Sequence, residues 1–245
     1  MSCSPRRKER PVERWDEELA ELSGRVRHWP AGAALFREGD GADWVVVLRS
    51  GRVKVTCSTA AGAEVVLWIL GPGEVLGESA ALGERERPVS AAALEPVTGL
   101  CLPASSFAAH LRARPLVMSS LVRLLGRRLR EAEEKLVELY SVDTLGRVTR
   151  RLVELADRYG ARCPAGLRIT LPLSQEELAG WTGSSRIATA KALRVLRDHG
   201  WIETGRREIV IRNVDALRRR AGRSSAGSTG GLQRGRVSGA VPRQA

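Results

Sequence analysis

Short apolar runs with the length of β-strands fill residues 28–103. The four clearest runs are residues 44–48, 52–57, 64–70 and 89–94. The breaks between runs are Gly39-Asp40-Gly41, Ser50-Gly51, Ala61-Gly62 and Gly71-Pro72-Gly73. Such residues adopt the backbone angles of tight turns at little cost. The spacing therefore predicts an antiparallel barrel or sandwich.

After Pro115 the apolar period changes to that of a helix. Apolar residues then recur in a strict 4-3-4-3 alternation at Met118, Val122, Leu125, Leu129, Ala132, Leu136 and Leu139. Charged residues flank this narrow row, which favours a helix that packs against a second copy of itself. We therefore predict a homodimer with these residues as its seam. Packing of the helix on its own barrel alone is the alternative.

Two short helices with a tight turn between them are predicted after residue 173. Residues 174–177 read Ser-Gln-Glu-Glu, the pattern of a capping box, with serine at the cap and glutamate three residues later. This helix ends at Thr182-Gly183-Ser184, and the next runs from about residue 185 to His199, where a glycine follows. Residues 201–211 predict a β-hairpin wing with its turn at Thr204-Gly205. Together these elements predict a winged helix-turn-helix.

Positive charge is concentrated at the C-terminal end of the chain. The 245 residues carry a net charge of +12, which favours a polyanionic partner. Residues 15–113 carry −4, whereas residues 144–220 carry +8 and residues 221–245 carry +4. The predicted winged helix is therefore the part that binds nucleic acid.

Composition excludes several other classes of protein. No apolar run approaches the roughly 18 residues of a membrane span. Cys3, Cys57, Cys101 and Cys163 lie far apart with no histidine at ligand spacing, which disfavours disulfide frameworks and zinc sites. The sequence also lacks G-x-S-x-G, H-E-x-x-H and Walker motifs, so we predict no enzyme. With no secretory signal, the predicted compartment is the cytoplasm, without a membrane partner.

The first turn of the second short helix is predicted to enter the major groove of double-stranded DNA. Arg186 is placed to donate two hydrogen bonds to a guanine, and Lys191 lies one turn further along. The arginines that follow are predicted to contact phosphates. The full candidate set is Ser184, Ser185, Arg186, Ile187, Thr189, Lys191, Arg194, Arg197, Arg206 and Arg207.

Motifs along most of the chain carry a family resemblance. Residues 32–40 read GAALFREGD, residues 44–53 read WVVVLRSGRV, residues 73–82 read GEVLGESAAL, and residues 87–91 read RPVSA. Asp143, Gly146 and Arg147 follow the long helix, and QEELA and SSR begin at residues 175 and 184. Over residues 25–215 these motifs resemble the Crp/Fnr superfamily of bacterial transcription regulators.

The resemblance implies an α+β fold with a sensor barrel similar to cyclic-nucleotide-binding domains, a long dimerisation helix and a winged helix on palindromic DNA. It also implies RNA polymerase as a partner. The expected parts are a flexible basic segment at 1–14, the barrel at 15–113, the dimer helix at 114–143, the winged helix at 144–220 and a basic tail without fold at 221–245.

The resemblance also implies an effector pocket in the barrel, formed by Gly77, Glu78, Ser79, Arg87, Val89, Ser90 and Ala91. Members that bind cyclic AMP carry an arginine immediately before a Ser-Ala pair, where it pairs with the cyclic phosphate. Here Val89 stands in that position, and Arg87 lies beyond Pro88. Ala132-Glu133 replaces a Thr-Ser pair that contacts adenine. We therefore predict an effector other than cyclic AMP, or none; a cyclic-nucleotide-dependent regulator that uses Arg87 is the alternative.

Two further expectations come from departures within the family pattern. Ile187 follows the recognition arginine where the best-known members have glutamate, so the target site should differ at that base step. The isoleucine either contacts a thymine methyl group or packs inward. An Fnr-like iron–sulfur cluster is disfavoured because Cys3 is the one cysteine near the N-terminus.

Overall fold

Two four-stranded antiparallel sheets form the N-terminal barrel. The computed structural model describes Trp15, Leu19 and residues 22–60, 62–169, 173–205 and 208–222, so the predictions for segment 1–14 and for most of the tail lie outside the described residues. The strands are β1 (Arg25–Trp29), β2 (Ala34–Phe36), β3 (Trp44–Ser50), β4 (Val53–Ser58), β5 (Glu64–Leu70), β6 (Val75–Leu76), β7 (Ser90–Ala93) and β8 (Val97–Pro103). Their orders are β1-β8-β3-β6 and β2-β7-β4-β5.

All four predicted runs form strands, and β5 has the predicted bounds. Strand β3 lies between β8 and β6 in its sheet, and both of its faces are buried. Val46 and Leu48 pack between the two sheets, whereas Val45 and Val47 pack against the helices that follow the barrel. Strands β1 and β6 were not predicted. The first contains charged residues and the second has two residues, so neither has a run of apolar residues.

The long helix has two different apolar faces. Helix α1 (Ala104–Ala113) leads into helix α2 (Pro115–Ser141), which begins with proline as predicted. Val117, Leu121 and Leu124 pack against the barrel. Most of the predicted seam lies elsewhere on the helix and is exposed. The helix therefore packs on its own barrel and still presents an uncovered apolar row, so the two interpretations of the sequence are compatible.

The C-terminal part is a winged helix-turn-helix. Its elements are α3 (Thr144–Tyr159), β9 (Gly160–Cys163), β10 (Gly166–Ile169), α4 (Gln175–Thr182), α5 (Arg186–Asp198), β11 (Ile202–Gly205), β12 (Glu208–Ile211) and α6 (Val214–Ala221). The predicted capping box is present, since Ser174 accepts from the Glu177 amide and Glu177 accepts from the Ser174 amide. The wing prediction needs one correction: Thr204 and Gly205 pair with β12 as part of β11 and do not form the turn.

The barrel and the winged helix pack directly against each other. Val66, Ile69 and Leu94 of the barrel join the apolar core of the C-terminal part. A side-chain carbon on Gly180 of α4 would lie 2.5 Å from the Glu64 carbonyl oxygen of β5, so only glycine permits this approach. The Lys54 ammonium lies 2.9 Å from a carboxylate oxygen of Glu177 and adds an ion pair between the barrel and the winged helix.

Candidate functional sites

The recognition helix α5 presents its first turn to solvent. The Ser185 hydroxyl accepts a hydrogen bond from the Ala188 amide at 3.2 Å and so caps the helix. Arg186 and Ile187 follow in exposed positions, and Ile187 is 82% exposed. The alternative in which Ile187 packs inward is therefore wrong. Capping occupies the Ser185 hydroxyl, whereas the next two side chains are free to contact another molecule.

Thr189 is a correction to the predicted set. It is fully buried, on the same side of α5 as Ala192, Leu193 and Leu196. These positions follow the i, i+3, i+4, i+7 spacing of a helix face that packs on a core. The Thr189 side chain therefore supports the helix from within and does not face a groove.

Three cations of α5 extend the exposed surface. Arg186, Lys191 and Arg194 are exposed, and none has an ion pair within the part of the chain that the structure describes. Arg197 donates to the Thr204 hydroxyl of the wing at 3.1 Å. Arg206 and Arg207 lie outside the described residues, so their phosphate contacts stay a prediction.

Ser184 lies at the turn before α5 and is held within the protein. Its hydroxyl accepts from an Arg147 guanidinium nitrogen at 3.1 Å and donates to the Thr182 carbonyl at 3.3 Å. Ser184 therefore stabilises the turn before α5. The preceding residue, Gly183, has a left-handed backbone in this turn, with a φ of 58°.

A cavity of about 180 Å³ opens in the barrel beside α2. Its lining residues are Phe36, Val55, Trp68, Leu70, Leu76, Gly77, Glu78, Ser79, Arg87, Pro88, Val89 and Arg128. Five of the seven predicted pocket residues are among them. The other two are not: the Ser90 hydroxyl accepts from the Glu38 amide at 3.0 Å, and Ala91 is buried in the sheet. Both support the wall and do not line it.

Arg87 is buried in the cavity wall, with 1% of its surface exposed. Its guanidinium donates to the carbonyls of Trp44 at 2.6 Å and Gly77 at 3.3 Å. It also lies over the Phe36 ring, 4.4 Å from the centroid. Burial lowers the pKa of Arg87, although the carboxylates of Asp43 and Glu78 partly oppose this effect. These contacts fix the position of the Arg87 guanidinium beside the cavity.

Arg128 links the cavity to the long helix and was missed by sequence reasoning. Its guanidinium forms an ion pair with Glu78 and donates to the Val75 carbonyl at 2.5 Å. The missed signal was its spacing: Arg128 follows Leu121 and Leu124 at seven and four residues, which places it on the same helix face.

Three lining residues carry buried polar atoms without a partner among the described residues. They are Trp68 Nε1, Glu78 Oε2 and Arg87 Nε. Unsatisfied buried polar groups are rare in proteins because each costs free energy. Two donors and one acceptor therefore remain available in the wall of this cavity.

The predicted seam on α2 divides into two groups. Val122, Leu129, Leu136 and Leu139 are between 47% and 62% exposed, and Ala132 is also exposed. Met118 and Leu125 are half-buried against the barrel core. The exposed row extends for about 25 Å along the helix, at about 1.5 Å per residue.

Other kinds of site find no support in the described ranges. No group of three or more His, Cys, Asp or Glu side chains is arranged there to hold a metal ion. Of the helices described, none is long and apolar enough to cross a membrane. Cys57, Cys101 and Cys163 are free thiols.

Comparison with family models assigns both halves of the chain. Residues 26–114 match the cyclic nucleotide-binding domain, and residues 146–220 match the Crp-like helix-turn-helix domain. The first match covers the barrel and every lining residue of its cavity except Arg128, and the second covers the exposed recognition helix.

Full-length relatives agree with this assignment. The CRP-like cAMP-activated global transcriptional regulator of Mycobacterium tuberculosis is 33% identical over 79% of this chain and 86% of its own length. The cyclic AMP receptor protein of Thermus thermophilus is 33% identical over 78% and 85%. A solved structure of a CRP-family transcriptional regulator from Thermus thermophilus has a TM-score of 0.70 at 27% identity, over 80% of this chain and 97% of that one.

Proposed function

Because the chain belongs to the Crp/Fnr family of transcription regulators, we propose that it binds palindromic DNA as a homodimer and answers to an effector other than cyclic AMP. The observation that carries the DNA site is the first turn of α5. There Arg186 and Ile187 are exposed, and Lys191 and Arg194 further along α5 are exposed without an ion pair among the described residues. The exposed row on α2 supports the dimer, because apolar rows of this kind are usually covered by another chain.

In-vitro selection of DNA from a random pool tests this function. We expect the ligand-free protein at physiological salt to enrich one palindrome, whose half-sites lie about 34 Å apart or at a multiple of that distance. The same palindrome is expected when cyclic AMP is present. Enrichment only with cyclic AMP would contradict the effector proposal, and no enrichment in either pool would contradict ligand-free operator binding.

Two observations support an effector other than cyclic AMP. One N–H of each Arg87 Nη already donates to a backbone carbonyl and fixes the direction of the guanidinium, and Pro88 after it offers no amide to an anion. Ala132 and Glu133 are exposed on α2 and lack the hydroxyl groups that the family resemblance implies for adenine contact. The atoms of Trp68, Glu78 and Arg87 that have no partner among the described residues suit a small molecule with both an acceptor and a hydroxyl group, and a cyclic nucleotide also has both, so they do not separate the two candidates.

Regulation by a cyclic nucleotide is the second candidate. It is favoured by Arg87, because this side chain lines the cavity and its Nε has no partner among the described residues. The Mycobacterium tuberculosis relative is itself named as cAMP-activated.

Titration calorimetry separates the two candidates. For the wild-type protein we expect cyclic AMP to bind more weakly than about 1 μM, which corresponds to about −8 kcal/mol. The reason is that two backbone carbonyls already orient the Arg87 guanidinium, and that Ala132-Glu133 offers no hydroxyl contact to adenine. Submicromolar affinity would establish the second candidate, and substitution Arg87→Lys should then weaken the binding.

Ile187 is predicted to determine one base of the half-site. Its exposed apolar side chain is suited to a thymine methyl group, so the wild type should select A·T there. Substitution Ile187→Glu introduces an acceptor for the cytosine amino group and should change the selection to G·C, by about 1–3 kcal/mol. Parallel selections measure the change.

Leu82→Glu is a suitable control for Ile187→Glu, because Leu82 is 52% exposed and ends a short 3-10 helix of the barrel (Glu78–Leu82), away from α5 in the sequence. It adds the same negative charge and should leave every base preference unchanged. Identical half-sites from the Ile187→Glu variant and the wild type would show that Ile187 does not contact a base.

The remaining assignments rest on the family. We propose RNA polymerase as a partner and the cytoplasm as the compartment, since the relatives are named as transcriptional regulators. We assign no catalytic step to the barrel for the same reason.

A further inference from the structure

The connection between the dimer helix and the recognition helix is organised around one side chain, Arg147 in the first turn of α3. All three of its guanidinium nitrogens donate hydrogen bonds. Nη1 donates to the Val142 carbonyl at 2.6 Å, and Nε donates to the Thr182 carbonyl at 2.7 Å. Nη2 lies 3.1 Å from the Ser184 hydroxyl and 3.4 Å from the Gly183 carbonyl. One rigid group thus binds the residue after α2 and the turn that begins α5.

A second contact joins the same two places. A side-chain carbon on Gly183 would lie 2.5 Å from Leu139 Cδ2, so the turn lies directly against the end of α2. Leu139 also belongs to the exposed row of the proposed seam and is 47% exposed. The end of the seam and the start of the recognition helix are therefore in contact through Leu139 and bridged by Arg147.

We propose that Arg147 is a positioning residue that fixes the angle of the recognition helix relative to α2, and thereby the half-site spacing that the dimer accepts. A planar guanidinium binds several acceptors in fixed directions, whereas a lysine ammonium has no such geometry. In a dimer, any rotation of α5 relative to α2 changes the separation of the two recognition helices. This inference rests on the homodimeric function proposed above.

Neighbouring arginines differ from Arg147 in what they connect. Arg150 lies on the same helix, but its Nε donates to the Ala221 carbonyl at 2.6 Å and its Nη1 lies 3.2 Å from Glu138. It joins α3 to α6 and to α2, and within the described part of the chain no hydrogen bond or ion pair connects it to the turn before α5. Arg150→Lys is therefore a matched control for Arg147→Lys, with the same helix, charge and type of substitution.

The test measures binding to paired half-sites that differ only in spacer length. Full-length wild type, Arg147→Lys, Arg147→Gln, Ser184→Ala and Arg150→Lys are compared on the selected half-site, with spacers lengthened or shortened by one base pair. We expect wild type and Arg150→Lys to prefer one spacer by about tenfold or more, and the Arg147 variants by less than about threefold. Base preference within a half-site should be unchanged. Ser184→Ala, which removes one acceptor, should reduce the spacer preference less.

The possible outcomes are distinguishable. An unchanged spacer preference in folded Arg147 variants overturns the inference. Loss of base preference together with spacer preference also overturns it, because Arg147 would then maintain the winged helix itself. If Arg147→Gln does not fold by circular dichroism, Arg147→Lys and Ser184→Ala decide the question. Wild type that binds one half-site as tightly as two would contradict the dimeric function, whatever the variants do.

Discussion

Leu129→Glu combined with Leu136→Glu is expected to produce a monomer that no longer binds its operator specifically. Both side chains are exposed in the single chain, at 61% and 56%, so carboxylates at these positions leave the packing of α2 on the barrel intact. In a dimer seam the same carboxylates would face each other without water, which is unfavourable for like charges. Leu125 is a less suitable target because it also packs against the barrel core.

The expected loss is large because a palindrome is bound through two half-sites at once. A monomer keeps one half-site contact and the non-specific attraction to phosphate. Specific sites are typically bound about 10³-fold or more tighter than non-specific DNA, and we expect most of this difference to disappear. Light scattering gives the mass of the variant, and gel-shift titration gives its affinity for the operator.

Leu116→Glu is the control for the double variant. Leu116 lies on the same helix and is 84% exposed, but it is outside the predicted row. This variant should remain dimeric and bind the operator as the wild type does. If Leu129→Glu with Leu136→Glu keeps twice the mass of one chain, the row on α2 is not the dimer seam.

Local sequence signals predicted the ends of the C-terminal helices well. Ser174 caps α4 as its capping-box pattern predicted, and α5 begins where it was predicted to, with Ser185 as its cap. Asp143, named from the sequence only through the family resemblance, caps α3 by accepting from the Gly146 amide at 2.8 Å. Such caps act over three residues, so they can be identified without knowledge of the rest of the fold. The predicted strands were found for a similar reason, because each depends on a short apolar run.

Contacts between distant segments could not be predicted in this way. Lys135 is one of the charged residues that flank the predicted row, yet it donates to the Leu67 carbonyl, and burial lowers its pKa to about 8. The ion pair of Lys54 with Glu177 joins residues more than 120 positions apart. Nothing in the local pattern distinguishes such cations from solvated ones, because their burial depends on how the barrel packs against the winged helix.

The exposure of individual residues on α5 was only partly predictable. Thr189 and Ile187 have the opposite exposure to that suggested by their polarity, since the threonine is buried and the isoleucine is exposed. The spacing of Thr189 to Leu193 and Leu196 indicates its buried face, and helix periodicity is the better guide here than side-chain chemistry. At Ile187 the departure from the usual rule favours a functional role for the side chain.

Arg186→Ala is expected to weaken operator binding by about 1–3 kcal/mol for each half-site, or about 2–6 kcal/mol for the palindrome if the two contributions add. The side chain is exposed at the first position of α5, and alanine is compatible with a helix there, so the fold should not change. Loss of a bidentate contact to guanine should also relax selection at that base pair. Binding to random DNA should change little.

Arg194→Ala tests whether the loss at Arg186 comes from base recognition. Arg194 is also exposed on α5, two turns further along, where contact with a phosphate is expected. Its substitution should weaken operator and random DNA alike and reduce the salt dependence of binding by about one charge per subunit. Titrations of both variants at several salt concentrations separate the two kinds of contact. If Arg186→Ala behaves as Arg194→Ala does, Arg186 contacts a phosphate, and the base specificity of the half-site must come from other residues of α5, with Ile187 and Lys191 the first to examine.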